Sequence, residues 1–537
     1  MKKLLSSLLC LAMVLGLTAC GSSHDDTKIR VAVAGDFAML DPAIVDDTIT
    51  ANVLAQMYEG LYKLDTNGNV HANVATDLPT VSADGLTYTI TIKDGIKWSD
   101  GTALTANDFV YAWKRAACIG GYYSQFVYKI KGATAAASMD ELKDFGAVAK
   151  DDHTIVITLK EKCAYFGSLL TNTVFYPLRQ DVVEANGGDP LKSTWADTVD
   201  NPVNGAFIAT AINSKDEIVL TKNADYHSAD EVTMETLSFK VMTDADSQTN
   251  AFISGELDIA DTINLETVNT DEELKAQLFA VDPFVCNYYI LINAGDEIAN
   301  GNKVFADKDI RKAYSMAINR ENIIQATGLG DYAYQLNNLV PVGIPGVDGD
   351  YTTENGNNFN EGYNLAEAQK IMTSKGYSAD NMLEVTYKYN DTAIHKNVAQ
   401  TLQASLKEAY INLTLVPQEK ETFFEERDQG KFETCRHAMT ADFLDPMAYL
   451  SMYVGKDTKA NTVDDAKYEA LIAAAEKLDG DARIKKLAEA EEYLVSNYYV
   501  VPLFGYTDPK LKAANLEGVT TSPEGHYDLT RAKYVTE

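Results

Sequence analysis

Residues 98–115, WSDGTALTANDFVYAWKR, are the stretch whose reading decides the fold. Just upstream, Thr87-Tyr88-Thr89-Ile90-Thr91-Ile92 alternates in polarity and predicts a strand running into a turn at Asp94-Gly95. Ile96-Lys97-Trp98 predicts a second short strand, and Ser99-Asp100-Gly101 a second turn. Thr105 stands three positions before Asp108, an N-cap arrangement, and the helical run Phe109-Val110-Tyr111-Ala112-Trp113-Lys114-Arg115 follows. The local order is strand, turn, strand, loop, helix. It carries no reactive chemistry.

The N-terminus reads as an address. Lys2 and Lys3 form a basic start, and Leu4 to Leu17 is almost wholly apolar, rising only about 21 Å as a helix, too short for a bilayer core. Leu17-Thr18-Ala19-Cys20 then resembles the bacterial lipobox, cut before Cys20, so residues 1–19 read as a lipoprotein signal peptide. Residues 20–27 would be the lipidated cysteine and its tether, and two acyl chains on Cys20 suffice for lasting attachment outside the membrane. Beyond Thr27 no apolar run is long enough to span. The net charge is −32, and −34 once Lys2 and Lys3 leave (−32 − 2), a surface that repels phosphate backbones and argues against nucleic acid. Cys118, Cys163, Cys286 and Cys435 are widely spaced, without C-x-x-C or metal-ligand rhythm.

Helical and strand periods alternate along the whole chain, so the fold class reads as α/β. Helices are predicted over 246–254, 310–319, 365–375, 395–409, 422–429, 464–478 and 481–496, with strands at 411–416, 432–439 and 499–504. No internal repeat or low-complexity segment is present.

The wording of 98–115, with Leu40-Asp41-Pro42, Tyr58-Glu59-Gly60-Leu61, Asn204-Gly205-Ala206-Phe207 and Ser254-Gly255-Glu256-Leu257-Asp258, closely resembles the oligopeptide-binding family 5 solute-binding proteins of ATP-driven importers. The resemblance implies a periplasmic-binding-protein-like fold (class II, cluster C) with two main lobes, an inserted additional domain and a hinged cleft. Lobe I would combine 28–48, 190–284 and 508–537. Residues 49–189 would be the inserted lobe II, and 285–507 lobe III. Relatives often bridge the cysteine matching Cys286 to a strand of the last lobe. Here the partner position falls on Thr440, with Cys435 out of register, which argues against that bridge.

Residues 431–449, KFETCRHAMTADFLDPMAY, carry the ligand expectation. They read as a strand ending at Ala441-Asp442-Phe443 before a turn at Asp445-Pro446. The resemblance implies that Asp442 pairs with a peptide α-ammonium, while the strand through Ala438 and Thr440 pairs with the peptide backbone. An ionised aspartate suits a cation through charge-assisted hydrogen bonds, and main-chain pairing accepts any sequence. Arg436, Arg427 and His395 match basic cleft positions that would meet the ligand carboxylate. Strand period directs Arg436 and Asp442 to one face if the strand is regular. Relatives often place tryptophan where this chain has Met439 and Lys420, so the pocket walls differ here. Tyr122 and Tyr123 read as an aromatic lid or as interface packing, and Asp36 as a lobe I lining residue.

No G-x-S-x-G, H-E-x-x-H or G-x-x-x-x-G-K-[ST] occurs, the seven histidines are scattered, and no cofactor is implied. The expectation is a non-enzymatic, monomeric, lipid-anchored receptor that delivers oligopeptides to a permease and its ATPase subunits. The alternatives are the same fold tuned to an oligosaccharide or signalling peptide, an exported hydrolase, and a surface adhesin.

Overall fold

A computed structural model describes residues 25–185, 189, 191–192, 194–280, 283–295, 303–455 and 465–535. The signal peptide, Cys20 and the first part of the tether lie outside the described residues. So does Asp464, the expected start of a late helix, whose described part runs Ala466–Ala475.

The fold is α/β, built on two large mixed sheets and a smaller one. The first has seven strands, in the order Leu278–Phe279, Lys510–Lys512, Ile259–Ala260, Lys28–Val33, Thr236–Val241, Glu217–Lys222, Phe207–Asn213. Its central strand Lys28–Val33 buries Ile29, Val31, Ala32 and Val33 and runs parallel to both neighbours, and parallel strands of this kind are covered on both faces. The second sheet has six strands: Ala333–Gln335, Val500–Thr507, Pro283–Ile292, Thr434–Thr440, Leu383–Asn390, Ile411–Gln418. One face packs on helices through Tyr314, Val398 and Leu402. The other packs on Phe423, Tyr449, Ile472 and Leu487.

Two segments carry the chain between these sheets. Leu278–Phe279 leads into Pro283–Ile292, and Val500–Thr507 leads into Lys510–Lys512. The crossings lie side by side, with Phe279 opposite Lys510 and Pro283 opposite Thr507.

The stretch 98–115 sits against the third sheet, Thr80–Val81, Thr87–Thr91, Thr154–Thr158 and Ala147–Asp151. Gly95 and Gly101 both take φ of 82°, which makes the two turns. The second strand is a correction: Lys97 makes only a single bridge to Ala103, because the turn at Trp98–Gly101 immediately reverses the chain. The helix runs Ala106–Ile119 behind a reciprocal cap in which Asp108 accepts from the Thr105 N–H at 2.8 Å. Trp98 and Trp113 are fully buried packing residues.

Most predicted helices form within a few residues of their expected ends: Ala245–Ile253, Lys308–Met316, Leu365–Ser374, Ala393–Glu408, Lys420–Asp428 and Gly480–Ser496. The segment after residue 316 does not continue one helix. Asn319 caps a new one, Arg320–Thr327, through its side chain.

Candidate ligand cleft around Asp442

The strand Thr434–Thr440 is central to the six-stranded sheet but unevenly paired. One edge runs antiparallel to Pro283–Ile292 along its whole length, from Cys286 opposite Thr440 to Ile292 opposite Thr434. The other edge is met by Leu383–Asn390 only at Thr434 and Cys435. From Arg436 to Thr440 this second edge faces no strand among the described residues. Successive strand residues direct their backbone groups to alternate edges, so this stretch offers an unused row of donors and acceptors to an extended chain.

Asp442 stands just past the strand, where the backbone turns away. Ala441 N–H donates to Val285 O at 2.9 Å, and the Asp445-Pro446 turn that follows is clamped by Arg483, bonded to both Asp445 oxygens at 2.7 Å. The Asp442 carboxylate accepts from the Tyr123 hydroxyl at 3.2 Å and the Tyr122 hydroxyl at 3.3 Å. Both tyrosines come from the loop after Ala106–Ile119, and their rings meet edge to face at 5.0 Å. Aromatic contacts close the same seam: Tyr165 stacks on Phe443 at 4.8 Å, and Phe126 meets Phe443 edge-on at 5.6 Å. A cavity of about 630 Å³ opens beside Asp442, lined by Tyr122, Gln125, Tyr165, Met439 and Met452 among others.

Asp442 has no ion pair among the described residues. Burial pushes its pKa up to about 6, and the two tyrosine hydroxyls pull it back only in part. It is a desolvated carboxylate that neutral hydroxyls satisfy incompletely and that a cation would satisfy better.

This sets a pH dependence. The folded value lies above the usual 3.8, so the ionised group costs stability above about pH 6 and protonation relieves that cost as pH falls. The thermal midpoint of the ligand-free protein, measured against Asp442→Asn, should rise between pH 7 and pH 5. A difference that does not move with pH would contradict the assignment.

The other expected residues separate into two environments. Arg436 is buried, donates from Nε to Asn390 Oδ1 at 2.7 Å, and lies over Phe423 and Phe424 at 5.3 and 5.5 Å. Burial lowers its pKa, and no carboxylate pairs with it among the described residues. The expected common face for Arg436 and Asp442 does not form. The strand ends at Thr440, and Asp442 instead shares its cavity with Met439, on the opposite parity.

His395 lies near Arg436, with Nδ1 3.2 Å from the Tyr288 hydroxyl. Burial and then the Arg436 charge hold its pKa down at about 3, so it is a neutral imidazole rather than the basic group expected. Arg427 is committed to Asp428 at 2.8 Å and lies over Phe424 at 4.7 Å. Lys420 is exposed at the start of Lys420–Asp428, and Asp36 is exposed in the loop after Lys28–Val33. Ala438 pairs across to Tyr288, and Thr440 to Cys286, the register expected for the missing bridge. The Cys286 thiol donates to the Tyr506 hydroxyl at 2.9 Å. Asn390, Tyr288 and Tyr165 carry no local signal because each reaches the site from a distant segment, whereas Phe443 lies in the expected strand end and gains its role only from Tyr165 and Phe126 packed on it.

The sequence profile of the bacterial extracellular solute-binding proteins, family 5 Middle, matches residues 69–461. The chain belongs to this family. Among its family 5 relatives, the periplasmic oligopeptide-binding protein OppA of Salmonella typhimurium is 28% identical over 495 residues, 90% of this chain and 87% of its own. The dipeptide-binding protein DppE of Bacillus subtilis is 28% identical over 560 residues, 98% of each chain. Solved structures share the fold. Listeria monocytogenes OppA bound to peptide superposes with a TM-score of 0.75 at 23% identity, over 95% of this chain and 100% of its own. The Escherichia coli murein tripeptide binding protein MppA gives 0.76 at 22% identity, over 96% and 99%. This family 5 protein is therefore periplasmic-binding-protein-like, and its family's work is solute binding.

Proposed function

We propose that this solute-binding protein captures oligopeptides and hands them to a membrane permease, without covalent chemistry. The observation that carries the reading is Asp442: a half-buried carboxylate with no ion pair among the described residues, at the end of a strand whose edge from Arg436 to Thr440 is open. A peptide running along that edge would pair through its backbone with Ala438 and Thr440 and bring its α-ammonium to Asp442. Arg436, unpaired by any carboxylate among the described residues, would draw the ligand's carboxylate end, with His395 as a neutral hydrogen-bonding neighbour and Arg427, Lys420 and Asp36 at the periphery. Met439 would offer an adaptable pocket wall, and Tyr122 and Tyr123 would exchange one acceptor for contact with the ligand. The names of the relatives, which include oligopeptide- and dipeptide-binding proteins, support the same class.

In this reading residues 28–48, 190–284 and 508–537 act as lobe I, 49–189 as lobe II and 285–507 as lobe III. The paired crossings at Phe279–Lys510 and Pro283–Thr507 would serve as the hinge, and ligand binding between lobes would favour the closed arrangement by its differential affinity. The protein would work as a monomer on the outer face of the cytoplasmic membrane, tethered through a lipid on Cys20. No helix of the described residues is long and apolar enough to cross a membrane. Permease and ATPase subunits would supply the transport energy.

Thermal shift with defined ligands tests this. A bound peptide at 100 times its Kd should stabilise the protein by about 2.7 kcal/mol. Stabilisation by oligosaccharides alone, or by no peptide of two to ten residues, would sink the peptide reading.

A further inference from the structure

We propose that Glu524 turns the Asp442 end of the cleft into a site for two positive charges, so that preferred peptides begin with lysine, arginine or another diamino residue. This rests on the peptide reading and narrows its substrate.

The two carboxylates are brought together by one residue of a crossing strand. Val285 N–H donates to Pro523 O at 3.3 Å, while Val285 O accepts from Ala441 N–H at 2.9 Å. Pro523 and Ala441 therefore flank Val285, and the next residue of each segment is Glu524 and Asp442. The Asp442 charge is felt at Glu524, and the Tyr123 hydroxyl feels both, but the two carboxylates line different cavities, of about 630 and 300 Å³. Gly525 makes the turn that directs Glu524: its φ is +86°, and a Cβ there would stand 3.0 Å from the Phe284 ring.

The Glu524 side chain is only 12% exposed and lines a cavity of about 300 Å³ with Tyr58, Glu59, Tyr176, His526 and Asp528. The neighbouring acids are already satisfied. Glu59 accepts from the Tyr226 hydroxyl at 2.7 Å and lies 2.6 Å from His227 Nε2. Asp528 accepts from Thr530 N–H at 3.0 Å and from Lys63 at 3.3 Å. Glu524 accepts no hydrogen bond among the described residues. His526 Nδ1 stands 3.7 Å away, too far for one, and burial keeps that ring neutral with a pKa near 4.

Burial, then the Asp442 charge, raise Glu524 to about 8. Asp442, Tyr123, Tyr176 and His526 face it and supply no cation, and the ammonium that lines the same cavity, Lys63, stands 3.3 Å from Asp528 Oδ2, beside the further acids Glu59 and Asp65. An ammonium or guanidinium entering the cavity would favour ionised Glu524 and expel its proton, with the tyrosine rings as flat walls for a cationic chain.

Isothermal titration at pH 7 decides the matter, using tripeptides that differ only in a first lysine or norleucine. The expected result is about tenfold tighter binding of the lysine peptide, with additional proton release seen across buffers of different ionisation enthalpy. In Glu524→Gln the lysine-over-norleucine ratio should collapse towards one, and the proton signal should vanish. Equal affinities in the parent protein, with both peptides bound, would overturn the two-cation site and leave the peptide reading standing. Binding of neither would overturn both.

Discussion

Asp442→Asn should weaken free-amine peptides by roughly 30- to 5,000-fold while leaving the protein as stable as before, or more so. The two effects have opposite signs because one partly desolvated charge plays two parts. In the complex, Asp442 would face an ammonium out of water, and removing one member of a desolvated charge pair costs about 2–5 kcal/mol, roughly 30- to 5,000-fold. In the ligand-free protein the same carboxylate is held by two tyrosine hydroxyls and by no cation among the described residues, with its pKa raised to about 6. A rise of that size corresponds to at most about 3 kcal/mol of strain at neutral pH, which the amide removes. A residue that merely packed the seam between Tyr123 and Phe443 would instead lose stability on substitution. Titration of free and N-acetylated forms of one peptide against parent and variant separates these outcomes. Equal affinity of the two forms for the parent protein would refute the ammonium assignment.

Arg115→Met should cost about 3–5 kcal/mol, the loss expected when one partner of a buried ion pair is removed and the other stays behind. Arg115 and Asp41 are each almost wholly buried, and the guanidinium bonds both carboxylate oxygens, at 2.9 and 2.6 Å. Asp41 Oδ1 also accepts from Ala43 N–H at 3.0 Å, so an unpaired Asp41 would disturb the loop before the helix Thr48–Met57. With the unfolding entropy expected for a chain of this length, the thermal midpoint should fall by roughly 3–5 °C. The double variant Arg115→Met with Asp41→Asn should recover much of that loss, because no uncompensated charge remains. Failure of the double variant to recover would mean that packing around the guanidinium, rather than charge, holds the pair in place.

These two predictions differ in what could be read beforehand. Asp41 and Arg115 both lie in wording that marked the family, yet nothing in either stretch announced that they meet, 74 residues apart. Asp442 was legible as a strand-end carboxylate, because the alternation of 434–440 and the Asp445-Pro446 turn are local. Its neighbours were not. Arg436 was expected beside it by strand period, but that rule holds only while the strand lasts, and the backbone turns after Thr440. His395 was expected as a cation. Burial and the nearby guanidinium hold it neutral, and neither influence is visible from its own helix.

The sequence by itself determined the elements and their order. Glycines at positive φ in the turns at 95 and 101, the Thr105–Asp108 cap and the apolar alternation of 87–92 act over a few residues, so propensity and sterics decide them. It also determined the family, through motifs spread along the chain. Only the tertiary structure decided which charges lose their water. Tyr122 reaches Asp442 across 320 residues, and Glu524 arrives from the last segment through Val285. Desolvation is a property of everything packed around a group, so the chemistry of this cleft exists only once distant segments have come together.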